Sequence, residues 1–123
     1  MKKLLFLSVL FSSFLVTSQA QPVRKGAVET ATIKLPTVQC QECKDRIEKY
    51  VSREDGVQKI TVDYKRKTAK VTYLWDRTNI ENVKTAIANV GYDADDVTAN
   101  SDAYQKLPTC CKKTEDGGGH NKK

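Results

Sequence analysis

The sequence predicts an α+β fold in which two helices pack on one face of a four-stranded antiparallel sheet. Apolar residues alternate with polar residues over 30–35, 60–64 and 69–75, which indicates half-buried strands. Apolar residues recur at helical spacing over 43–52 and 80–90. With a short closing strand after the second helix, the order is β-α-β-β-α-β. Right-handed crossovers and a single hairpin then give a ferredoxin-like sandwich.

The first strand and the first helix are predicted from their apolar residues. Ala31, Ile33 and Leu35 share one face of the strand. Pro36 closes this strand because proline lacks the backbone N–H that a ladder needs. The helix then extends from about residue 43 to residue 52, and the acidic residues and glycine that follow end it.

The remaining elements follow from turn and cap signals. The polar residues 65–67 connect the two middle strands as a hairpin. Thr78 and Glu81 have capping-box spacing, which predicts Thr78 as the N-cap of the second helix. Gly91 is a natural helix terminator, and residues 92–98 supply the last short strand.

Charge and composition exclude a nucleic-acid partner. The 123-residue chain has a formal net charge of +6, but its basic residues are spread along the chain with acidic residues between them. Neither a helix-turn-helix nor an aromatic stacking pattern is present in the sequence. We therefore expect a small monomeric binding protein that is not an enzyme and does not bind nucleic acid.

The N-terminal residues 1–20 predict a secretory signal peptide. Two lysines precede an apolar run over 4–16, and Ser18 and Ala20 fit the small-x-small cleavage rule. The apolar run is too short to span a hydrocarbon core of about 30 Å as a helix. We expect cleavage at about Ala20, a periplasmic or secreted location, and no membrane attachment after cleavage.

The rest of the chain divides into three predicted parts. Residues 21–29 form a flexible leader, residues 30–98 a single folded domain, and residues 99–123 a flexible tail that contains cysteines. His120 follows three glycines in this tail and is interpreted as a solvated side chain.

Cys40 and Cys43 form a C-x-x-C motif where the first strand gives way to the first helix. The positive end of a helix dipole lowers the pKa of a thiol and favours the thiolate, which binds soft ions such as Cu(I) and Zn(II). Thiol–disulfide proteins also place this motif at a helix start, so a redox couple is the alternative. A thioredoxin-like core needs further β-α units, whereas here a hairpin follows the first helix directly. This order favours metal binding.

The predicted topology adds a neighbour to the two cysteines. The loop after the first strand and the end of the second helix lie at the same edge of the sheet. Gly91 and Tyr92 therefore lie beside Cys40 and Cys43.

Three motifs carry a resemblance to a known family. They are Val38-Gln39-Cys40-Gln41-Glu42-Cys43 after the first strand, Glu54-Asp55-Gly56-Val57 before the second, and Val90-Gly91-Tyr92 after the second helix. Together they make residues 30–96 similar to the heavy-metal-associated domain family. That family includes copper chaperones, the N-terminal domains of metal-pumping P-type ATPases and the periplasmic mercury-binding protein.

The resemblance implies a site and a cargo. It implies that Cys40 and Cys43 bind the metal and that Tyr92 packs near the metal loop. Cu(I) is the favoured ion, with Hg(II), Zn(II) and Cd(II) as alternatives. The implied partner is a metal-transporting ATPase or another metal-handling protein with a thiol-containing site. Where the family usually has Gly-Met before the first cysteine, this chain has Thr37 and Val38, so Val38 keeps an apolar plug under the loop without a thioether.

A second pair of cysteines, Cys110 and Cys111, lies beyond the region of resemblance. As soft ligands they would be auxiliary metal-binding residues. In an exported chain, disulfide bonding or no role at all are the alternatives. The spacing of these cysteines alone does not distinguish among the three possibilities.

Overall fold

The computed structural model of the chain describes residues 27–119. The predicted signal peptide, residues 21–26 of the predicted leader, and His120 therefore lie outside the described residues, and Val28 and Glu29 of that leader belong to the first strand. Three strands and three helices are present in the described range. They are β1 (Val28–Lys34), α1 (Gln41–Val51), β2 (Val57–Asp63), β3 (Thr68–Leu74), α2 (Ile80–Val90) and α3 (Ser101–Gln105).

The sheet has the strand order β1-β3-β2, and both pairings are antiparallel. The predicted apolar faces meet in one core, where Ile33 of β1, Ile47 of α1, Val71 of β3 and Ile87 of α2 are fully buried. Burial of a side chain of this size stabilises the fold by about 1.5–3 kcal/mol. The two predicted periodicities, two in the strands and 3.6 in the helices, are confirmed. Trp75, just beyond β3, is exposed instead of facing the core.

The predicted fourth strand is not formed within residues 27–119, so the sheet of the described chain has three strands and not four. Residues 92–98 make a tight turn closed by a single bridge between Ala94 and Val97. Asp95 adopts a left-handed conformation with φ of 49°. Its backbone N–H donates to the carbonyl of Lys34 at 2.9 Å, and its carboxylate accepts from the N–H of Lys34 at 2.8 Å. Asp95 therefore pairs with the last residue of β1 through its backbone and its side chain, in place of a strand ladder along β1.

The helix ends differ from the prediction in small ways. The N-cap of α2 is Asn79, whose side chain accepts from the N–H of Asn82 at 2.9 Å, and the predicted cap Thr78 is instead buried. Helix α1 begins at Gln41 instead of about residue 43. Gly91 ends α2 in a left-handed conformation, as predicted. None of the helices within 27–119 has the length and apolarity needed to cross a membrane.

Residues 99–119, which the sequence predicts as part of a flexible tail, pack onto the domain. Asn100 caps α3 by accepting from the N–H of Ala103 at 3.0 Å. The side chains of Leu107 and Cys111 are buried in the same core as the rest of the domain. A capping residue and an apolar anchor therefore fold residues 99–119, here named the tail, onto the domain.

Candidate metal centre

Cys40 and Cys43 lie in contact at the start of α1. Cys40 is the N-cap residue, with an extended backbone, and its carbonyl accepts from the N–H of Lys44 at 3.1 Å. Cys43 lies on the first turn, and the two Sγ atoms are 3.1 Å apart. This separation exceeds the length of a disulfide bond, about 2.05 Å. Both thiols therefore lie at the N-terminal end of the helix, which is the positive end of its dipole.

The loop before Cys40 is held by the hairpin between β2 and β3. The ammonium group of Lys67 donates to the carbonyl of Val38 at 2.9 Å and to that of Pro36 at 3.4 Å. Val38 is fully buried under the loop, at the position predicted for an apolar plug. The hydroxyl of Thr37 accepts from the N–H of Asp93 at 3.0 Å, which ties the loop to the end of α2.

The tail brings the second pair of cysteines to the first. The Sγ atom of Cys111 lies 3.9 Å from that of Cys40 and 4.0 Å from that of Cys110. The sulfur atoms of Cys40, Cys110 and Cys111 all lie within 4.8 Å of one another. The two motifs, separated by about seventy residues in the sequence, thus form one cluster of thiols that no disulfide joins.

Access to this cluster is from one side. Cys43 and Cys111 are 0% and 1% exposed, whereas Cys110 is half-buried. A cleft of about 390 Å³ reaches Cys40 and Cys110 from the surface. Its other lining residues are Gln39, Gln41, Glu42 and Tyr64. A small ion or a partner's thiol reaches Cys40 and Cys110 before the inner pair.

The tail thiols favour the protonated form in this structure. Burial and a hydrogen bond from Cys110 to the Glu42 carboxylate, at 3.3 Å, raise the pKa of Cys110 to about 11. Burial also raises the pKa of Cys111, and the neighbouring Cys43 adds to that shift. A cation that binds here displaces these protons, since the thiolate is the ligand.

Tyr92 is fully buried next to the cluster. Burial raises the pKa of its phenol, and interaction with Cys111 and Cys43 raises it further. The sulfurs of Cys111 and Cys43 are near enough to act on this hydroxyl, but no residue within 27–119 forms a hydrogen bond of good geometry with it. The ring is thus where the sequence predicted it, at the metal loop, but it belongs to the core and does not cover the loop from outside.

The acidic residues that follow α2 have structural roles. Asp93 accepts from the N–H of Ala99 at 2.8 Å, and Asp96 contacts Lys84 at 3.1 Å, so the acidic residues after α2 stabilise the turn. Lys67 and Leu107 were missed by sequence reasoning. The predicted topology places the hairpin of Lys67 at the same edge as the cysteine loop, and this signal was sufficient to find it.

Comparison with protein families supports the interpretation of this region as a metal-binding domain. Residues 32–93, half of the chain, match the family described as the heavy-metal-associated domain. This match covers the cysteine loop, helices α1 and α2, and Tyr92. It confirms the resemblance predicted from the motifs.

Curated relatives are copper-exporting P-type ATPases of Staphylococcus aureus. The chain is 38% identical to that of strain Newman over 76 residues, which are 62% of this chain and 10% of the relative. It is 40% identical to that of strain MRSA252 over 68 residues, which are 55% of this chain and 8% of the relative. The chain spans about a tenth of the length of the curated relatives it matches.

Solved structures with the same fold include two mercury-detoxification proteins. Oxidised MerP from Ralstonia metallidurans CH34 is 29% identical, with a TM-score of 0.54 over 56% of this chain and 96% of that one. The mercury-bound form of MerP, described as a periplasmic protein, is 28% identical, with a TM-score of 0.51 over the same shares.

A copper-loaded domain has the same fold. The Cu(I)-loaded N-terminal domain of a potential copper-translocating P-type ATPase from Bacillus subtilis is 26% identical, with a TM-score of 0.52. The two structures align over 55% of this chain and 85% of that domain. From the family match and the fold, the chain belongs to the heavy-metal-associated domain family.

Proposed function

We propose that this chain binds one soft heavy-metal ion through the thiolates of Cys40 and Cys43, as a metallochaperone or scavenger and not as an enzyme. The observation that carries the proposal is the contact of these two thiols at the positive end of α1, with Cys40 lining an open cleft and Cys43 buried behind it. Thiolates are soft ligands and therefore select soft ions.

Cu(I) is the favoured ion. Its support is the similarity to copper-exporting ATPases and to a Cu(I)-loaded domain. Cu(I) is satisfied by two thiolates in a linear arrangement. The pair formed by Cys40 and Cys43 provides that number of ligands. Hg(II) is the next candidate, supported by the similarity to a mercury-bound protein. Zn(II) and Cd(II) prefer more ligands than one pair provides.

The proposed partner is a metal-transporting ATPase or another metal-handling protein with a thiol-containing site. Transfer would proceed as the partner's thiolates replace those of Cys40 and Cys43 one at a time, with the proton returning to each released sulfur. The chain would act as a monomer, bind no nucleic acid and have no membrane attachment after cleavage. It would act in the periplasm or outside the cell, after cleavage at about Ala20. The mass of the mature protein recovered from cells tests that cleavage.

The direct test of metal binding is the amount of metal bound per chain after purification under anaerobic, reducing conditions. The expected result is about one equivalent of Cu(I), lost in the Cys40→Ser, Cys43→Ser variant. Ala86→Ser, which adds a hydroxyl to a buried site of α2, is the matched control and keeps full binding. Full binding by the double serine variant would show that the site assignment is wrong. A competition series of Cu(I), Hg(II), Zn(II) and Cd(II) then ranks the ions.

A thiol–disulfide function is the second candidate. The 3.1 Å contact between Cys40 and Cys43 favours it, because the two sulfurs need little movement to bond. Reduction of insulin by a chain that binds no metal would support this function over metal binding.

A further inference from the structure

We propose that Cys110 and Cys111 are ligands to the same ion, so that the tail closes the loop into a site of three or four thiolates. This inference rests on metal binding at Cys40 and Cys43 and adds a class of cargo. A closed thiolate site takes Zn(II), Cd(II) or Hg(II), which accept three or four sulfur ligands, in addition to Cu(I).

The sulfur spacing fits an ion at the centre of the cluster. A tetrahedral ion with metal–sulfur bonds of about 2.3 Å holds its sulfurs about 3.8 Å apart. The Sγ atom of Cys111 is 3.9 Å from that of Cys40 and 4.0 Å from that of Cys110. These three sulfurs all lie within 4.8 Å of one another, so they can hold one ion between them. Cys43 lies outside this group, at 3.1 Å from Cys40, and its side chain has to turn toward the other sulfurs to become the fourth ligand.

The tail is anchored on both sides of its cysteine pair. Before the pair, the N–H of Asn100 donates to the carbonyl of Ala88 at 2.9 Å, and Leu107 is buried. After the pair, the side-chain amide of Gln39, next to Cys40, donates to the carbonyl of Lys112 at 2.6 Å. The loop residue Gln39 therefore binds the tail directly beside Cys111. The thiols of the tail are held at the cluster by contacts that do not involve sulfur.

An unpartnered hydroxyl points to negative sulfur at the inner end of the cluster. The hydroxyl of Tyr92 is buried beside Cys43 and Cys111 and has no hydrogen-bond partner among residues 27–119. A buried donor without a partner destabilises the fold. A thiolate is a better acceptor than a thiol, so a metal-bound Cys43 or Cys111 offers the partner that the protonated cluster lacks.

The closed site also predicts the order of binding. Cys110 is half-buried at the cleft, and Cys111 is buried behind it. An ion contacts Cys40 and Cys110 first and then moves inward, while each thiol that joins the ion releases its proton to water. Release to a partner requires that the tail yield its two ligands first, so the tail slows loss of the ion.

The test is the number of sulfur atoms around Cd(II) in the reduced full-length chain, measured by X-ray absorption. The expected count is about three to four for the chain as it exists, and about two in the Cys110→Ser, Cys111→Ser variant. The affinity for Cd(II) falls by more than about a hundredfold in that variant, whereas one equivalent of Cu(I) is still bound.

Two controls keep the result interpretable. Thr109→Ser changes an exposed residue beside the pair and keeps all four thiols, so its sulfur count and affinity match those of the unchanged chain. Circular dichroism shows whether the double variant is folded. If the buried serine at position 111 prevents folding, the variant Cys110→Ser, Cys111→Ala takes its place.

An unchanged sulfur count and an unchanged Cd(II) affinity in the folded double variant overturn the inference while metal binding by the loop stands. Uptake of a second, independent Cu(I) by the full chain, lost in the variant, also overturns it. Absence of any soft-metal binding by the unchanged chain contradicts the proposed function itself.

Discussion

Tyr92 occupies the core beside Cys43 and Cys111, with its hydroxyl buried and unpartnered among the described residues. Tyr104 in the tail is a useful contrast, because its hydroxyl accepts from the N–H of Lys113 at 2.8 Å. The two tyrosines differ in what the phenol oxygen contributes to the metal-free fold.

We predict that Tyr92→Phe leaves the metal-free protein as stable as before or more stable by about 1 kcal/mol, because it removes an unsatisfied buried donor. The same change speeds loss of the bound ion, since the hydroxyl no longer donates to a thiolate. Tyr104→Phe, the matched control, lowers the free energy of unfolding by about 1 kcal/mol because the N–H of Lys113 loses its acceptor. Denaturant unfolding and metal-release kinetics measure both effects. An unchanged release rate for Tyr92→Phe places the hydroxyl away from the bound ion.

Site residues that lie close together in the sequence could be predicted from it. The contacts that the tail makes with the cysteine loop could not. The C-x-x-C spacing pointed to Cys40 and Cys43, and the family resemblance pointed to Val38 as the apolar residue under the loop. The approach of Cys111 to Cys40 depends on where α3 packs. Local pattern carries no information on that packing, so the role of the tail cysteines stayed open in the sequence.

At the scale of elements, Gly91 couples the end of α2 to α3. Its φ of 111° is the left-handed conformation that glycine adopts without strain. A Cβ atom at this position would lie 3.2 Å from backbone atoms of Ala103 and from a methyl carbon of Leu107. Helix α3 therefore packs on a surface that only glycine leaves open.

We predict that Gly91→Ala lowers the free energy of unfolding by about 1–2 kcal/mol or more, because the residue is strained and α3 must move. Chemical denaturation measures this loss. Gly117→Ala tests a glycine with a similar positive φ but nothing within 4 Å of its Cβ position, so it isolates the backbone strain from the contact with α3. Equal losses in the two variants would show that the packing of α3 on Gly91 contributes nothing.

The turn that replaces the fourth strand depends on charge. The ammonium of Lys84 in α2 lies 3.1 Å from Asp96 and 3.7 Å from Asp95. The hydrogen bond from Lys84 lowers the pKa of Asp96, so the contribution of the pair to stability is present above the ordinary Asp value of about 3.9. That contribution is lost as the pH falls through the lowered pKa.

We therefore predict that Lys84→Met lowers the thermal midpoint at neutral pH, and that the difference from the unchanged protein shrinks below about pH 4. Thermal unfolding monitored across this pH range measures both curves. A difference that stays constant down to the acid limit would mean that Lys84 acts through packing and not through its charge.

The patterns of alternation and periodicity found every helix and strand in the core. They placed a strand over 92–98 because they do not include the competition of three aspartates for the backbone N–H groups.

At the scale of the whole molecule, one small core positions both cysteine pairs. The hairpin of Lys67, the end of α2 and the tail meet the loop after β1 at one edge of the sheet, and each forms a hydrogen bond with a loop residue just before Cys40. The family match covers residues 32–93 and ends before the tail. The part of the chain beyond the match therefore distinguishes this protein from a minimal two-thiol domain.

The central claim is that one soft ion is held by deprotonated thiols of this chain, and native mass spectrometry of the reduced chain loaded anaerobically with Cu(I) tests it most directly. The mass gives the number of ions and the number of protons displaced in one measurement. The account predicts one ion per chain and a loss of protons that accompanies it, and neither is seen with Cys40→Ser, Cys43→Ser. A chain that has lost two hydrogens but carries no ion would instead be a disulfide and would contradict the claim.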